Sequence, residues 1–413
     1  MQAILLLLSL LVALATVGLG LLNLKQLEKP LPALPAALAE VVEDETLLRA
    51  NAYSRERARL GLATFVASRG LTLVFFFGGA GALYDRLVRA HVDSFVGRGV
   101  VFVLGIALFS FLFSLPISLY SNFVLEARYG FNRMTLGLWA GDRVKGALLS
   151  GALLSGCAAL ALYLVQAFPT YYWLLAWALL AVFSVLMSMA WPYLIEPLFF
   201  KVRPFQDPEL EPRIRDLAER ARVHVSRVFQ VDASRRSSHS NAYFSGLGPE
   251  KRVVLFDTLL ARMTPREILA VLAHELGHYR LHHVLQRFVV GQLLSLAAFA
   301  AGAFALAELD PASWVGAHEG SFAFRALIVG FAFSRVEFVA TPLFSYWSRH
   351  HERQADTFAG KLTRDPAALA SGLAKLSRDN LSNLNPHPFY AAFYASHPPA
   401  IERISALSRP EPA

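Results

Sequence analysis

The sequence predicts a mainly α-helical, polytopic membrane protein in which seven transmembrane helices interrupt a small α+β domain. Hydrophobic residues make up 55% of the 413 residues and charged residues only 17%, against about 25% in a soluble domain. The mean hydropathy is +0.42. Because a spanning helix needs about 20 apolar residues, seven spans leave enough chain for a sizeable polar domain.

Seven apolar segments are long enough to cross a bilayer. The first lacks the basic start and clear cleavage site of a signal peptide, so we interpret it as an anchor, with a cleaved signal peptide as the alternative. An odd number of spans places the two termini on opposite sides of the membrane. The segments cover residues 2–22, 62–84, 99–121, 146–168, 170–194, 288–307 and 321–347.

Basic residues indicate which side of the membrane is cytoplasmic. They are concentrated in residues 24–61, 128–145 and 196–283, whereas the loop before the seventh span, residues 308–319, is acidic. This distribution predicts an external N-terminus and a cytoplasmic C-terminus.

The long polar stretch after the fifth span begins the α+β domain. Residues 208–221 and 265–283 have a helical pattern, and residues 228–231 and 252–255 have the pattern of short strands. The predicted parts are residues 1–195 with five spans, 196–283 and 348–413 as the two pieces of the domain, and 284–347 with two spans.

Charge and cysteine content exclude two classes of function. The net charge of +8 is accounted for by basic cytoplasmic loops, and no basic run with interleaved aromatic residues indicates nucleic-acid binding. The single cysteine, Cys157, lies in an apolar stretch, which excludes an internal disulfide and a thiolate metal site. Any metal ion must therefore be held by histidines and carboxylates.

Residues 271–278 read V-L-A-H-E-L-G-H and contain the pattern H-E-x-x-H. On a helix, His274 and His278 lie about 40° apart, so both imidazoles can reach one zinc ion. Glu275 is placed to act as a general base towards water at the metal. A helix with two incidental histidines is the alternative.

A catalytic zinc ion needs a third protein ligand. Just after the last span, Glu352 and Asp356 share one helical face. We predict Glu352 as this ligand and Asp356 as an acid that hydrogen-bonds a ligand histidine. A solvated helix face is the alternative, but the hairpin of the last two spans returns Glu352 to the histidines. Four nearby histidines without a partner at helical spacing are secondary ligand candidates: His282, His283, His350 and His351.

These motifs together resemble the type I CAAX prenyl proteases, integral-membrane zinc endopeptidases that remove the C-terminal tripeptide of prenylated proteins. Tyr279 is a departure, since the family often has Trp there. The resemblance is carried by V-L-A-H-E-L-G-H, by H-E-R-Q-A-D, by residues 234–246, and by the stretches that begin at Glu126, Glu196 and Ser396.

The resemblance implies a fold in which a gluzincin-like metalloprotease domain caps a barrel of seven helices around a water-filled chamber. It implies one Zn²⁺ per chain, held by His274, His278 and Glu352. It also implies that Glu275 is catalytic and that Asp356 occupies the position assigned as proton donor.

Two further segments are candidates for substrate contact. The segment around His239, Asn241 and Ala242 is predicted to form an edge strand onto which an extended peptide adds, with a polar loop as the alternative. His397, which precedes two prolines, is predicted to donate to an oxyanion, with capping of the last helix as the alternative. Arg403 is a candidate partner for a buried acid such as Asp356.

Three charged residues lie within predicted spans. Arg69, Arg335 and Glu337 should face a protein-lined or water-filled interior, because charge in contact with lipid is costly. For the last two, snorkelling to the cytoplasmic face is the alternative.

The sequence therefore predicts an integral-membrane zinc endopeptidase that contacts membrane lipids. Its predicted substrate is a peptide or protein, and the family resemblance extends this to lipidated substrates. The alternatives are a membrane-protein quality-control metalloprotease that needs no prenyl group and a non-proteolytic transporter or channel. The 32 arginines against 7 lysines indicate a GC-rich genome, which favours a bacterial inner membrane over the endoplasmic reticulum. The basic loops predict that the active site lies on the cytoplasmic side.

Overall fold

Helices dominate the computed structural model, which describes residues 1–31, 33–245 and 251–409. Gly246, the last residue of the predicted 234–246 segment, and residues 410–413 of the predicted C-terminal part lie outside the described residues. The helices are α1 (Gln2–Gln26), α2 (Ala36–Ala39), α3 (Asp44–Phe77), α4 (Ala80–His91), α5 (Phe95–Tyr120), α6 (Leu136–Ala167), α7 (Tyr172–Ala190), α8 (Glu196–Phe199), α9 (Leu210–Arg220), α10 (Asp257–Leu260), α11 (Pro265–Arg280), α12 (His283–Glu308), α13 (Phe322–Thr363), α14 (Pro366–Asp379), α15 (Pro388–Tyr394) and α16 (Ala400–Leu407). The strands are β1 (Val202–Pro204), β2 (Val225–Val231), β3 (Ala242–Ser245) and β4 (Lys251–Phe256).

Within the described residues, seven helical segments are long and apolar enough to cross a membrane, which is the predicted number. Five are α1, α3, α6, α12 and α13. The sixth is α5 with a π-helical turn that extends it to Glu126, and the seventh is α7, which continues through a π-helical turn into α8 and ends at Phe199. Large apolar side chains such as Leu14, Leu148 and Leu343 are exposed on these helices. Such a surface is suited to lipid, since backbone polar groups are satisfied within each helix.

Two predicted helical segments have wrong boundaries because the chain turns inside each segment. The predicted span 62–84 is broken at Gly79, whose φ of +81° is a left-handed conformation that glycine adopts without strain, so α3 ends and α4 begins there. The predicted helix 265–283 ends at Arg280, because His282 has a φ of 59° and starts a new helix in another direction.

The small sheet has the strand order β1-β2-β4-β3. β2 and β4 are parallel. β1 pairs antiparallel with β2, and β3 pairs antiparallel with β4. The strands predicted at 228–231 and 252–255 are the inner two. Val253 and Leu255 of β4 are completely buried against apolar residues of α9 and α11. This core fixes α11 on the sheet, with β3 at the edge.

The start of α11 is set by its sequence, as the pattern Thr264-Pro265 predicts. Thr264 and Glu267 form a reciprocal capping box. Glu267 is buried and also accepts hydrogen bonds from Ser371 Oγ at 2.6 Å and Lys375 Nζ at 2.8 Å. Burial raises the pKa of Glu267, but these donors outweigh it and lower the pKa below its ordinary value. The carboxylate thus joins α11 to α14.

A polar cavity of about 1520 Å³ lies among the membrane helices and the α+β domain. Arg69, Arg335 and Glu337 all line it, as predicted for charged residues within spans. Arg335 is only 7% exposed, so it does not snorkel to the surface. The cavity also reaches His239 and Asn241, close to the beginning of β3.

The contact between α11 and α13 is unusually close at Gly277. A Cβ atom added there would lie 3.1 Å from the Cα and 3.3 Å from the carbonyl oxygen of Ala355 on α13. α13 is one helix of 42 residues that includes both the last span and Glu352. Gly277 therefore sets how near the H-E-x-x-H helix comes to Glu352.

Substituting this glycine tests that contact. We expect Gly277→Val to lower the free energy of unfolding by about 1–3 kcal/mol, because the backbone of α13 must move away. Thermal unfolding of the purified protein in detergent with excess chelator measures this without a contribution from metal affinity. Gly330→Val is the matched control, since a Cβ at Gly330 meets nothing within 4 Å. Equal destabilisation by both variants would contradict the expectation.

Candidate metal centre

Three side chains predicted as metal ligands converge between α11 and α13. The Nε2 atoms of His274 and His278 are 3.3 Å apart. Glu352 places Oε2 3.4 Å from Nε2 of His274 and Oε1 3.3 Å from Nε2 of His278. One donor atom from each residue lies within 4.8 Å of the others. His274 and Glu352 are buried and His278 is partly exposed, so the group is open to the surface on the His278 side only.

The spacing and chemistry of these donors fit a metal ion. Ligands at about 2.0–2.1 Å from a tetrahedral zinc ion lie about 3.3 Å from one another. The facing Nε2 atoms cannot both keep their lone pairs there without repulsion unless a proton or cation lies between them. The buried Oε2 of Glu352 is approached only by nitrogen atoms that can bind a proton or belong to a cation, at 3.4 Å from His274 Nε2, 2.8 Å from His397 Nδ1 and 3.5 Å from Arg403 Nη1 among the described residues. A cation among the three residues would satisfy all of these atoms.

His274 is held by a carboxylate on the side away from the cluster. Its Nδ1 lies 2.8 Å from Oδ1 of Asp356. Burial disfavours the charged imidazole, but hydrogen bonds with Asp356 and Glu352 prevail and raise the pKa of His274 to about 9. The same negative surroundings favour a metal cation. Asp356 thus contacts one of the predicted ligand histidines.

Asp356 is itself clamped by Arg403 from α16. Arg403 places Nε 2.8 Å from Oδ2 and Nη2 2.6 Å from Oδ1, a bidentate pairing. Its Nη1 is also 3.5 Å from Oε2 of Glu352. Both oxygens of Asp356 are therefore engaged, and Arg403 is the partner of the buried acid.

Glu275 lies beside the donors without joining them. It follows His274 directly on α11 and is not one of the three grouped donors. Burial raises the pKa of Glu275, and the negative charge of Glu352 adds to this, against the lowering effect of the neighbouring histidines. A carboxylate with a raised pKa is a stronger base.

His397 also reaches the cluster. Its Nδ1 lies 2.8 Å from Oε2 of Glu352, and its side chain is 62% exposed, so it lies between the donors and the surface. The alternative that it caps the last helix is wrong, because the residue at the start of α16 is Pro399 and no side chain caps that end.

The predicted strand around His239 begins later than expected. β3 starts at Ala242 and is an edge strand, whereas His239 and Asn241 precede it. His239 stacks on Phe131 with a centroid distance of 4.1 Å. Its Nδ1 is 3.0 Å from Oδ1 of Asn380, and its Nε2 is 3.4 Å from the carboxylate of Glu126. His239 therefore joins the membrane helices to the α+β domain at the cavity wall.

Sequence reasoning missed one contact of the cluster. His283 approaches His278 from behind, with the two Nδ1 atoms 3.0 Å apart. Helical spacing could not predict this pair, because the chain turns at His282 and the two residues belong to different helices. The only signal in the sequence was the excess of histidines around the motif.

Comparisons with known proteins agree with this geometry. Residues 23–201 match the family model of the CAAX prenyl protease N-terminal region with five membrane helices, and residues 204–411 match that of peptidase family M48. The fold is similar to the crystal structure of S. mikatae Ste24p, with a TM-score of 0.86 and 32% sequence identity over 97% of this chain and 98% of that one.

Curated relatives extend over nearly the whole chain. A CAAX prenyl protease 1 homolog of Arabidopsis thaliana is 34% identical over 94% of this chain and 93% of its own length. CAAX prenyl protease 1 of Saccharomyces cerevisiae is 34% identical over 91% of this chain and 88% of its own. An uncharacterized metalloprotease of Bacillus subtilis is 29% identical over 83% of this chain and 81% of its own. This chain therefore belongs to peptidase family M48 and is an integral-membrane metalloendopeptidase.

Proposed function

We propose that this protein binds one Zn²⁺ per chain through His274, His278 and Glu352 and hydrolyses peptide bonds in lipidated substrates of the C-a-a-X type. The observation that carries the proposal is the convergence of these three donors, with Glu275, a buried carboxylate of raised pKa, next to His274 in the chain. The names of the similar proteases from Arabidopsis thaliana and Saccharomyces cerevisiae support the choice of substrate.

In this proposal zinc supplies Lewis acidity, which polarises the scissile carbonyl and lowers the pKa of water. Glu275 takes a proton from the attacking water and delivers it to the leaving amine, a role that its raised pKa supports. His397, within reach of the donors on the exposed side, donates a hydrogen bond to the developing oxyanion.

Asp356 has two proposed roles to choose between. As a proton donor it would need a free carboxyl oxygen that faces the substrate, but His274 and Arg403 engage both oxygens. We therefore assign Asp356 to positioning His274 and holding its tautomer.

Substrate binding is proposed along the edge strand and the cavity. β3 leaves one edge of the sheet for an extended peptide, whose main chain would pair with residues from Ala242 onward. His239 and Asn241 line the adjoining cavity and are proposed to contact the substrate there. A volume of about 1520 Å³ has room for a peptide segment and a lipid chain.

The proposed compartment follows from composition and charge. The 32 arginines against 7 lysines favour a bacterial inner membrane, and the basic loops favour a cytoplasmic site among membrane lipids. A bacterial source favours a second candidate, membrane-protein quality control without a prenyl requirement, because prenylated C-a-a-X substrates are not expected in bacteria. The transporter or channel alternative gives no reason for the convergent donors.

Metal analysis tests the ligand assignment. We expect one zinc per wild-type chain, and more than about tenfold weaker binding for Glu352→Ala, since one of three protein ligands is lost. Elemental analysis after dialysis against a weak chelator measures it. His350→Ala is the control, because this exposed histidine belongs to α13 but not to the group of donors. Full zinc content in Glu352→Ala would contradict the assignment.

The general base is tested with Glu275→Gln. This variant should keep its zinc while kcat for peptide cleavage falls by about 10²–10⁴-fold, because the amide cannot accept the proton. Cleavage of a quenched fluorescent peptide and metal content are measured on the same preparation. Wild-type turnover by the purified variant would rule out the role of Glu275.

The two substrate classes are separated by a matched pair of peptides. With a farnesylated C-a-a-X peptide and its unprenylated form, the proposed specificity predicts a kcat/KM at least about tenfold higher for the farnesylated peptide, since a buried lipid contributes binding energy. Mass spectrometry should show release of the C-terminal tripeptide. Equal rates, or cleavage elsewhere, would favour quality control.

A further inference from the structure

A chain of three polar side chains lies behind the candidate metal centre. Nδ1 of His278 is 3.0 Å from Nδ1 of His283, and Nε2 of His283 is 3.0 Å from Oε1 of Gln354. His283 is 2% exposed, so water does not replace these contacts. This chain of contacts begins at Nδ1 of His278, whereas Nε2 of the same ring meets the other donors.

Only one placement of protons along this chain permits metal binding. The amide oxygen of Gln354 accepts, so His283 carries its proton on Nε2 and keeps a lone pair on Nδ1. That lone pair accepts from Nδ1–H of His278. A neutral His278 then has its remaining lone pair on Nε2, directed at His274 and Glu352. The reverse placement would put a proton on Nε2 of His278 and block a cation.

The ring of His283 is fixed in orientation by a second histidine. The rings of His283 and His351 stack with centroids 3.9 Å apart and an angle of 3° between planes. The Trp347 ring packs against His351, with a centroid distance of 4.9 Å. Nδ1 of His351 is buried and has no hydrogen-bond partner in the described part of the chain. His351 therefore acts on His283 by packing, not by hydrogen bonding.

The two histidine ligands are thus supported by different means. Behind His274 lies a carboxylate, Asp356, which is itself neutralised by Arg403. Behind His278 lies a neutral imidazole followed by a neutral amide. A neutral acceptor orients the ring without adding another buried negative charge to a site that already contains Glu352 and Asp356.

We propose that His283 is a positioning residue which, together with Gln354, holds His278 in the tautomer and orientation that bind the metal. The inference rests on the zinc site proposed above. It gives a function to His283 and His351, which the sequence offered only as secondary ligand candidates.

The test measures zinc affinity of the full-length protein in detergent by competition with a chromophoric chelator. His283→Phe keeps a flat ring for stacking but has no acceptor, and Gln354→Leu removes the end of the chain. Each should weaken zinc binding by about 10–100-fold. His283→Asn, whose amide oxygen can accept from Nδ1–H of His278, should recover most of the affinity. His350→Phe is the matched control and should bind zinc like the wild type.

The outcomes separate this inference from the proposed function. If the wild-type protein binds no zinc, the proposed function fails. If the wild type binds zinc and His283→Phe binds it equally well, the positioning role is overturned. It is also overturned if His283→Asn binds as weakly as His283→Phe, since packing of the ring would then be the cause. If size-exclusion chromatography shows that His283→Phe does not fold, the zinc affinity of Gln354→Leu decides whether the positioning role holds.

Discussion

The close packing of α11 against α13 is the contact on which the metal centre depends. Two helices that meet through large side chains lie 8–10 Å apart, and Gly277 permits an approach in which an added Cβ would touch the backbone at Ala355. His274 and His278 come from one of these helices and Glu352 from the other. The donor side chains are too short to meet if α11 and α13 lie far apart. The absence of a side chain at Gly277 therefore affects whether the three donors can converge.

Bringing carboxylates into this interface has an electrostatic cost, and the fold offsets it locally. Glu352 and Asp356 are 2% and 6% exposed. Removal from water disfavours their charged forms, and the opposing contributions come from Arg403, from the histidines and, in the proposed function, from zinc. Arg403 belongs to the last helix of the described chain. α16 therefore contributes a charged side chain to the candidate metal centre.

The sequence predicted the parts of this site that follow helical periodicity. His274 with His278, and Glu352 with Asp356, are each four residues apart on a continuous helix, and the hairpin of two spans brings the pairs together. It could not predict contacts made where the chain turns. His283 meets His278 because His282 adopts a left-handed conformation, and the second span ends early because Gly79 does. The sequence also placed His239 in the edge strand, whereas β3 starts three residues later. The contacts that hold His239 outside the strand come from Glu126 and Asn380, which are distant in the chain.

The continuity of α13 has a consequence for how this protein can be divided. Arg335, at the wall of the intramembrane cavity, and Glu352, at the metal centre, are 17 residues apart on one helix, which corresponds to about 25 Å at 1.5 Å per residue. A displacement of α13 at the cavity therefore also displaces Glu352, the predicted third ligand. The polar part of the chain is thus not separated from the membrane helices by a linker. The same helix that crosses the membrane brings Glu352 to the predicted ligand histidines.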